Sequence, residues 1–306
     1  MERMSVLPSL LTAVFGSTFR GSREGEGWRI SSVSRDIATV HHIATGAFAC
    51  STEGVTGMDG RGFCTHIIFL RSGKLTVDQH GHQHGLVAGD IFVACGWQPM
   101  ALAGSGKVEM LVISTPGWWS MQRFMDKFQI LPILYISKDY FAAPIIADLA
   151  QLILDLKDED LPAISQALTM ITDLLRTALA ASTKSETIMP RARGRMGEIL
   201  WFIALNIEHQ GLSAKDAAVS LKCSVRTVYN ACATHGTSFS ALLIETRLVA
   251  AQYQLIRTNE RISQIAYNVG FSSLSHFSRL FSARFGITAK TMRAGNRAEA
   301  IASREA

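Results

Sequence analysis

Three arginines stand at alternate positions in the segment MPRARGRMG, residues 189 to 197. They are Arg191, Arg193 and Arg195, and a Ser/Thr-rich run precedes them. A guanidinium group presents a planar fork of N–H donors that matches the oxygens of a phosphate or a carboxylate. The cluster could therefore hold an anionic ligand, contact a nucleic-acid backbone or serve as a solvated linker. Its spacing alone leaves these alternatives open.

Three histidines, His80, His82 and His84, also alternate, in the stretch KLTVDQHGHQHGLVAGDIFV. On one strand they would share a face and could bind a metal ion. The stretch is, however, typical of a hairpin that turns near Gly81, with a second turn at Gly89. Because no acidic residue or further histidine follows at a suitable spacing, the sequence favours an exposed polar turn and predicts no metal site.

Patterns typical of catalysis are missing from the sequence. It contains no paired-carboxylate acid/base site, no nucleophilic triad and no phosphate-cradling glycine loop. We therefore predict no catalytic residues, and no enzyme.

Charge is distributed unevenly along the 306 residues, a length that suggests more than one domain. Residues 1–190 carry 15 Lys and Arg against 18 Asp and Glu, whereas residues 191–306 carry 15 against 7. A surplus of positive charge in a compact region is the footprint expected for contact with nucleic-acid phosphates.

Cysteine usage and hydropathy predict a cytoplasmic protein. The five cysteines are odd in number and lack close paired spacing, which argues against a disulfide framework or a zinc site. No uninterrupted apolar run approaches the roughly 20 residues that a membrane helix needs, so we expect no membrane partner.

The region from Trp28 to Thr115 reads as short β-rich runs separated by Gly and Asp turns. Strands at this spacing predict a small barrel or sandwich. The layout resembles the cupin-like sensory domain of AraC-type regulators. Catalytic cupins line the barrel with metal ligands, so a cupin enzyme fused to a second module is an alternative, to be tested through metal loss on His82→Ala.

Beyond Pro116 two helical stretches each carry an apolar stripe. The first stripe is Ile145, Leu149, Leu152 and Leu156, and the second is Ile164, Leu168, Ile171 and Leu175. Four residues at steps of three and four suit either core packing or a helix that pairs with a second subunit. The sequence leaves these two alternatives open for both helices.

The segment ERISQIAYNVGFSSLSHFSRLFSARFGITAKTMR, residues 260 to 293, has two helical periods divided by a turn at Gly270. Ser272 or Ser273 can cap the second helix, whose buried side would hold Phe277 and Phe281. The pattern predicts a helix-turn-helix. It closely resembles the second helix-turn-helix of the AraC/XylS family of transcription regulators.

An earlier segment, residues 212 to 243, fits the first such unit. Ser213 with Asp216 makes a capping box, Ser224 caps the expected recognition helix, and Gly236 ends it. A helix over FSALLIETRLVAAQYQLI would connect the two units. The resemblance covers roughly residues 195 to 293.

The resemblance implies two recognition helices that enter successive major grooves about 34 Å apart. Mapped onto this chain, it assigns the DNA-binding side chains as Arg226, Tyr229, Asn230, Leu274, Ser275, Ser278 and Arg279. Each of these could instead contact only phosphate, because most protein–DNA hydrogen bonds go to the backbone.

The sequence departs from the family pattern in two places. Asn230, Ala231 and Cys232 stand where Arg-Leu-Phe is common, which puts the packing and base contacts of the first recognition helix in doubt. Ala289 stands where the family favours proline after Ser or Thr, which predicts a weaker helix start.

The resemblance implies a ligand-responsive regulator but does not name the effector. Arg191 and Arg195 form an RxxxR pair like that with which PilZ-type receptors hold cyclic di-GMP. Those receptors add a (D/N)xSxxG segment, and RGSREG at residues 20 to 25 resembles it except at the first position. The predicted ligand-binding residues are Arg20, Ser22, Arg23, Gly25, Arg191, Arg193 and Arg195. The alternative is a small organic effector, such as a sugar, in the barrel.

The sequence as a whole predicts an α+β protein. We expect a cupin-like β-barrel sensory domain over residues 1–135, a helical dimerisation and linker region over 136–190, and an all-α tandem helix-turn-helix domain over 191–306. The function expected is sequence-specific DNA binding by a homodimeric activator that works with RNA polymerase and needs no cofactor. An architectural DNA-binding protein of weak sequence preference is a further alternative.

Overall fold

The computed structural model divides the chain into two compact units, residues 1–194 and 195–306, here called the sheet unit and the helical unit. It describes residues 11, 14–15, 19–23, 29–35, 37–52, 64–79, 82–96, 98–124, 134–156, 160–182 and 195–295. The change of unit lies between Gly194 and Arg195, within the arginine cluster. The proposed boundary at residue 135 inside the sheet unit stays a prediction.

The described strands of the sheet unit form one nine-stranded antiparallel sheet. They are β1 (Phe19–Arg23), β2 (Arg29–Arg35), β3 (Ala38–Thr45), β4 (Phe48–Thr52), β5 (Cys64–Gln79), β6 (His82–Val87), β7 (Ile91–Cys95), β8 (Met100–Pro116) and β9 (Leu134–Ile136). The order is β1-β4-β8-β5-β7-β9, with β2 on β3, β3 on β8 and β6 on β5. No pairing among these strands closes the sheet, so the cupin-like barrel stays a prediction.

The predicted hairpin is confirmed by the antiparallel pairing of β5 with β6, in which Gln79 pairs with His82. His80 and Gly81, where the turn was predicted, lie outside the described residues. The second turn, at Gly89, is confirmed. Gly89 has φ +96°, a left-handed conformation that favours glycine. Asp90 fixes the second turn, because its carboxylate accepts hydrogen bonds from the backbone N–H of Val87 and of Lys138, each at 2.8 Å.

The core of the sheet unit lies on one face of β5 and β8. Ile68 and Leu70 of β5 and Met110 and Val112 of β8 are fully buried there. Apolar residues from the start of the chain join this cluster, namely Leu11, Val14 and Phe15. These amino-terminal side chains therefore partly fill the interior of the sheet unit, where a small organic effector was the alternative predicted from the sequence.

Three helices of the sheet unit lie wholly within the described residues: α1 (Gly117–Phe124), α2 (Ala143–Asp155) and α3 (Leu161–Ser182). The two predicted apolar stripes differ in burial. The stripe of α3 is buried throughout, at Ile164, Leu168, Ile171 and Leu175. In contrast, α2 buries a neighbouring face, which includes Ile146 and Ile153, while Ile145 and Leu152 of the predicted stripe are 45% and 44% exposed. The helix packs against α3.

The helical unit contains α4 (Arg195–Asn206), α5 (Ala214–Ser220), α6 (Val225–Thr234), α7 (Phe239–Arg257), α8 (Ile262–Asn268), α9 (Leu274–Phe285) and α10 (289–295). The tandem arrangement is confirmed: α5 and α6 form one helix-turn-helix, α8 and α9 form the other, and α7 connects them. No described helix is both long and apolar enough to span a membrane.

Candidate nucleic-acid interface

Ser224 caps the helix α6, as predicted. The Ser224 hydroxyl accepts a hydrogen bond from the Thr227 backbone N–H at 3.1 Å and so satisfies one free donor of the first turn. Val228 and Cys232 are fully buried on the side that packs into the unit. Burial raises the pKa of the Cys232 thiol to about 11, so this sulfur stays neutral and fills the position where the family pattern has an aromatic residue.

The other side of α6 is open to solvent. Arg226, Tyr229 and Asn230 are exposed there, Tyr229 to 55%. The three predicted DNA-binding residues of the first unit therefore share one accessible face.

The helix α9 repeats this arrangement. Ser273 is its cap, and its hydroxyl accepts from the His276 backbone N–H at 3.3 Å, which settles the choice between Ser272 and Ser273. Phe277 and Phe281 are fully buried, and their ring centroids are 5.3 Å apart. Aromatic packing of this kind fixes which face of a helix points outward.

All four predicted residues of α9 lie on its accessible face. Leu274, Ser275, Ser278 and Arg279 are exposed, Leu274 to 37%. An arginine fork can pair with guanine, and short hydroxyl side chains let a helix backbone approach a base edge closely. The exposed face thus offers the donors that a major groove accepts.

Each helix-turn-helix has a left-handed residue in its turn. Gly270 has φ +91°, as the sequence predicted, and Lys222 has φ +49° in the first unit. A lysine is costly in this region, and no glycine marked the position. Lys222 stands one residue after the last apolar position of the preceding helix, as Gly270 does. This shared position is the sequence feature that could have identified Lys222 as a left-handed residue.

The expected weak start after Phe285 is corrected by the structure. The Thr288 hydroxyl accepts from the Thr291 backbone N–H at 3.1 Å, and its carbonyl accepts from the Met292 N–H at 2.9 Å. Residues 289–295 are helical. A threonine cap replaces the missing proline, because it satisfies a first-turn donor directly.

Sequence reasoning missed two arginines that act inside the helical unit. Arg247 is 8% exposed and donates to the backbone carbonyls of Ile207 and His209. Arg284 forms an ion pair with Glu245, with N–O distances of 2.8 to 2.9 Å. Arg247 lies four residues before the buried Ala251 and therefore on the packed face of α7. A cation at such a position was the sequence feature that could have identified Arg247.

The predicted ligand-binding residues are only partly described. Gly25, Arg191 and Arg193 lie outside the described residues, as do the side chains of Arg20, Ser22 and Arg23, whose backbone forms β1. Arg195 is half-buried at the start of α4, pairs with Glu198, and has a guanidinium nitrogen 3.5 Å from the Leu221 carbonyl oxygen.

The histidine triplet is also partly described. His80 lies outside the described residues, while His82 and His84 lie on β6 and the His84 ring stacks on Tyr135 at a centroid distance of 5.9 Å. Within the described part of the chain, no group of three His, Cys, Asp or Glu side chains is placed to hold a metal ion.

Two other histidines are buried inside the sheet unit. A ring nitrogen of His66 lies 2.8 Å from the Ser114 hydroxyl, and the ring also interacts with the Phe15 backbone. Burial, with the nearby His41 adding to it, lowers the pKa of His66 to about 3. Burial lowers the pKa of His41 to about 4. Both rings are neutral at pH 7.

Comparisons with known proteins agree with this geometry. Residues 217–295 match the family described as Helix-turn-helix domain. The chain is 34% identical over 101 residues to the transcriptional activator RhrA of Rhizobium meliloti (strain 1021). The aligned region covers 32% of each of the two chains. The chain is 30% identical over 142 residues to the transcriptional activator NphR of Rhodococcus sp, an alignment that covers 44% of this chain and 42% of NphR.

The chain therefore spans about a third to two fifths of the length of these curated relatives. A wider match exists at the level of structure. The crystal structure of the AraC-like transcriptional activator CuxR is similar, with a TM-score of 0.54 and 14% identity over 80% of this chain and 90% of CuxR. The helical unit thus carries a helix-turn-helix domain, and the chain is similar in fold to CuxR.

Proposed function

We propose that this chain is a ligand-responsive transcriptional activator that binds double-stranded DNA through α6 and α9. The observation that carries the proposal is the pair of serine-capped helices, each anchored by buried side chains and each exposing polar, cationic or aromatic residues on one face. The basic balance of the carboxyl-terminal residues supplies attraction to phosphates. The proposal includes no catalytic step.

The first experiment measures binding of the full chain to a random-sequence duplex by fluorescence anisotropy. Arg226→Ala and Arg279→Ala should each weaken binding, because each removes a cation from an exposed recognition face. Arg176→Ala is the matched control, since Arg176 is an exposed arginine of α3 in the sheet unit, where it pairs with Asp173. Equal binding by all four proteins would overturn the assignment of α6 and α9.

Cyclic di-GMP is our first proposal for the effector. Arg191 and Arg195 would grip its phosphates and stack on its guanines together with Arg193, and Arg20, Ser22, Arg23 and Gly25 would complete the site. What supports this is the RxxxR spacing beside the RGSREG stretch. Arg195 also contacts the Leu221 carbonyl in the turn before α6, so a ligand that drew Arg195 away from Glu198 would act next to a recognition helix.

Calorimetric titration of the full chain with cyclic di-GMP tests this effector. Arg191→Ala and Arg195→Ala should abolish the heat of binding. The pair Arg257 and Arg261 has the same spacing and lies elsewhere, so Arg257→Ala with Arg261→Ala should leave it unchanged. An absence of heat for the unaltered chain, or the same affinity in every variant, contradicts the proposal.

A small organic effector inside the sheet unit is the second proposal, because the fully buried His66 places ring nitrogens in a largely apolar interior. Such a nitrogen in an apolar interior can orient a hydroxyl or carboxyl group of a ligand. A thermal-shift screen with sugars and small organic acids tests it. The shift should disappear in His66→Phe, while a shift that survives that change places the ligand elsewhere.

We propose, finally, that a second copy of the chain covers the exposed stripe of α2, and that the DNA-bound dimer works with RNA polymerase. Ile145 and Leu152 lie two turns apart on one side of α2, so together they form an exposed apolar stripe that contact with a second copy would bury. Ile145→Lys with Leu152→Lys should yield a monomer in analytical ultracentrifugation. Met170→Lys, at an exposed position of α3, should not change the state. A monomer before any substitution contradicts the proposal.

A further inference from the structure

Arg247 of α7 carries a buried cation that is satisfied by backbone oxygens. Its Nε donates to the Ile207 carbonyl at 3.0 Å, and its Nη2 donates to the His209 carbonyl at 2.7 Å. Both carbonyls lie just beyond Asn206, the last residue of α4. The carboxyl end of a helix carries partial negative charge, which stabilises a cation placed there.

The same guanidinium contacts the turn of the second helix-turn-helix. Its central carbon lies 5.9 Å from the centroid of the Phe271 ring, within the range of a cation–π contact. A Cβ atom added to Gly270 would lie 2.4 Å from the Ile207 carbonyl oxygen and 2.6 Å from Nη2 of Arg247. One side chain therefore joins the end of α4, the middle of α7 and the turn between α8 and α9.

A second contact ties α9 to α7 at its other end. The Nε of Arg284, in the last turn of α9, lies 2.9 Å from each carboxylate oxygen of Glu245. Glu245 stands two residues before Arg247 on α7. Ion pairs with more than one N–H contact restrict orientation as well as distance. The second recognition helix is thus held both at the turn before it and at its carboxyl end.

The first recognition helix, α6, is also linked to Arg247. The carbonyls that Arg247 binds lie at the end of α4, and α4 packs against α6. We infer that Arg247 is a positioning residue for DNA recognition. It fixes α9 relative to α4 and α6 while its own side chain is too buried to contact DNA. The inference rests on the proposed DNA-binding function. A lysine cannot replace it, because an ammonium group lacks the planar fork that spans two carbonyls.

A distance measurement without DNA tests the positioning directly. Spin labels are attached to the full chain at Ala233→Cys and Ala283→Cys, which are exposed on α6 and α9, after the half-buried Cys64 and Cys223 are replaced by serine. Pulsed electron resonance should give a narrow distance distribution. Arg247→Met and Arg247→Lys should broaden or displace it, whereas Arg261→Met, at an exposed arginine before α8, should not.

A DNA measurement separates positioning from stability. With a random-sequence duplex, Arg247→Lys should bind about tenfold or more weakly and show a smaller salt dependence, because phosphate contacts of one helix are lost. Ile203→Val lowers the stability of α4, where Ile203 is fully buried, and should leave the salt dependence unchanged.

An unchanged distance distribution in Arg247→Lys overturns the inference, and so does an unchanged salt dependence. If Arg247→Met fails to fold by circular dichroism, Arg247→Lys decides. If neither folds, Arg247 is required for folding and the positioning claim is wrong. If the unaltered chain does not bind DNA, the proposed function fails, and the distance measurement still decides whether Arg247 orders the two helices.

Discussion

At the scale of single residues, the two helix-turn-helix turns reach the same left-handed backbone conformation with different residue types. Gly270 and Lys222 both adopt positive φ after the last apolar position of the preceding helix. Gly270 is in addition packed closely against atoms of Ile207 and Arg247. Sequence could identify the turn from glycine, but the close approach at Gly270 depends on a carbonyl more than 60 residues earlier in the chain.

Gly270→Ala should therefore be more damaging than an alanine at another left-handed glycine. It combines about 1–2 kcal/mol for the left-handed conformation with roughly 1–3 kcal/mol for overlap. Gly286→Ala is the control, because Gly286 has φ +74° and no atom within 4 Å of an added Cβ. Urea unfolding of both variants measures the difference. Equal losses of stability would contradict the packing at Gly270.

The buried histidines predict a loss of stability in acid. Their folded pKa values of about 3 for His66 and about 4 for His41 lie below the ordinary 6.5, so the unfolded chain binds more protons. Stability is then fully present above pH 6.5 and falls as the pH drops toward 4. At pH 5.5 each histidine should cost about 1 kcal/mol. Urea unfolding at pH 7.5 and 5.5 measures this, and His66→Gln should reduce the loss; an equal loss in that variant contradicts the assignment.

At the scale of elements, helix caps are the features that sequence located best, because a cap depends on residues three positions apart. The Ser213–Asp216 capping box and the caps at Ser224 and Ser273 are confirmed. Ser273→Ala should cost about 1 kcal/mol and weaken DNA binding, since the first turn of α9 carries exposed residues. Ser272→Ala, next to the cap, should change neither. Unfolding and anisotropy measurements compare the two, and equal effects would contradict the cap.

Other elements depended on contacts that a sequence pattern does not contain. The helix α2 is apolar on two sides, so the stripe at Ile145 and Leu152 fits a buried face as well as the observed one at Ile146 and Ile153. Which side packs is decided by α3. The sheet order is equally non-local, because β8 pairs with β3, β4 and β5, strands that begin up to 60 or so residues earlier. Strand positions were predictable from turns, whereas their pairing was not.

At the scale of the whole molecule, the chain combines a sheet unit with a buried polar pair of histidines and a helical unit with two exposed recognition faces. The sequence predicted this order from the change in charge and period along the chain. The seven proposed DNA-binding residues are all exposed, and residues of the cyclic di-GMP proposal lie in both units. None of the seven DNA-binding residues belongs to the cyclic di-GMP proposal, so the two proposed functions can be altered by separate substitutions.

The most direct test of the account is a base-resolved specificity profile, obtained by selecting duplexes from a random library with the full chain. The account predicts two preferred segments about 34 Å apart, one helical turn of DNA. Arg226→Ala should relax preference in one segment only, and Arg279→Ala in the other. Uniform weakening by both substitutions, with no change of preference at any base pair, would contradict sequence-specific recognition and favour an architectural DNA-binding protein.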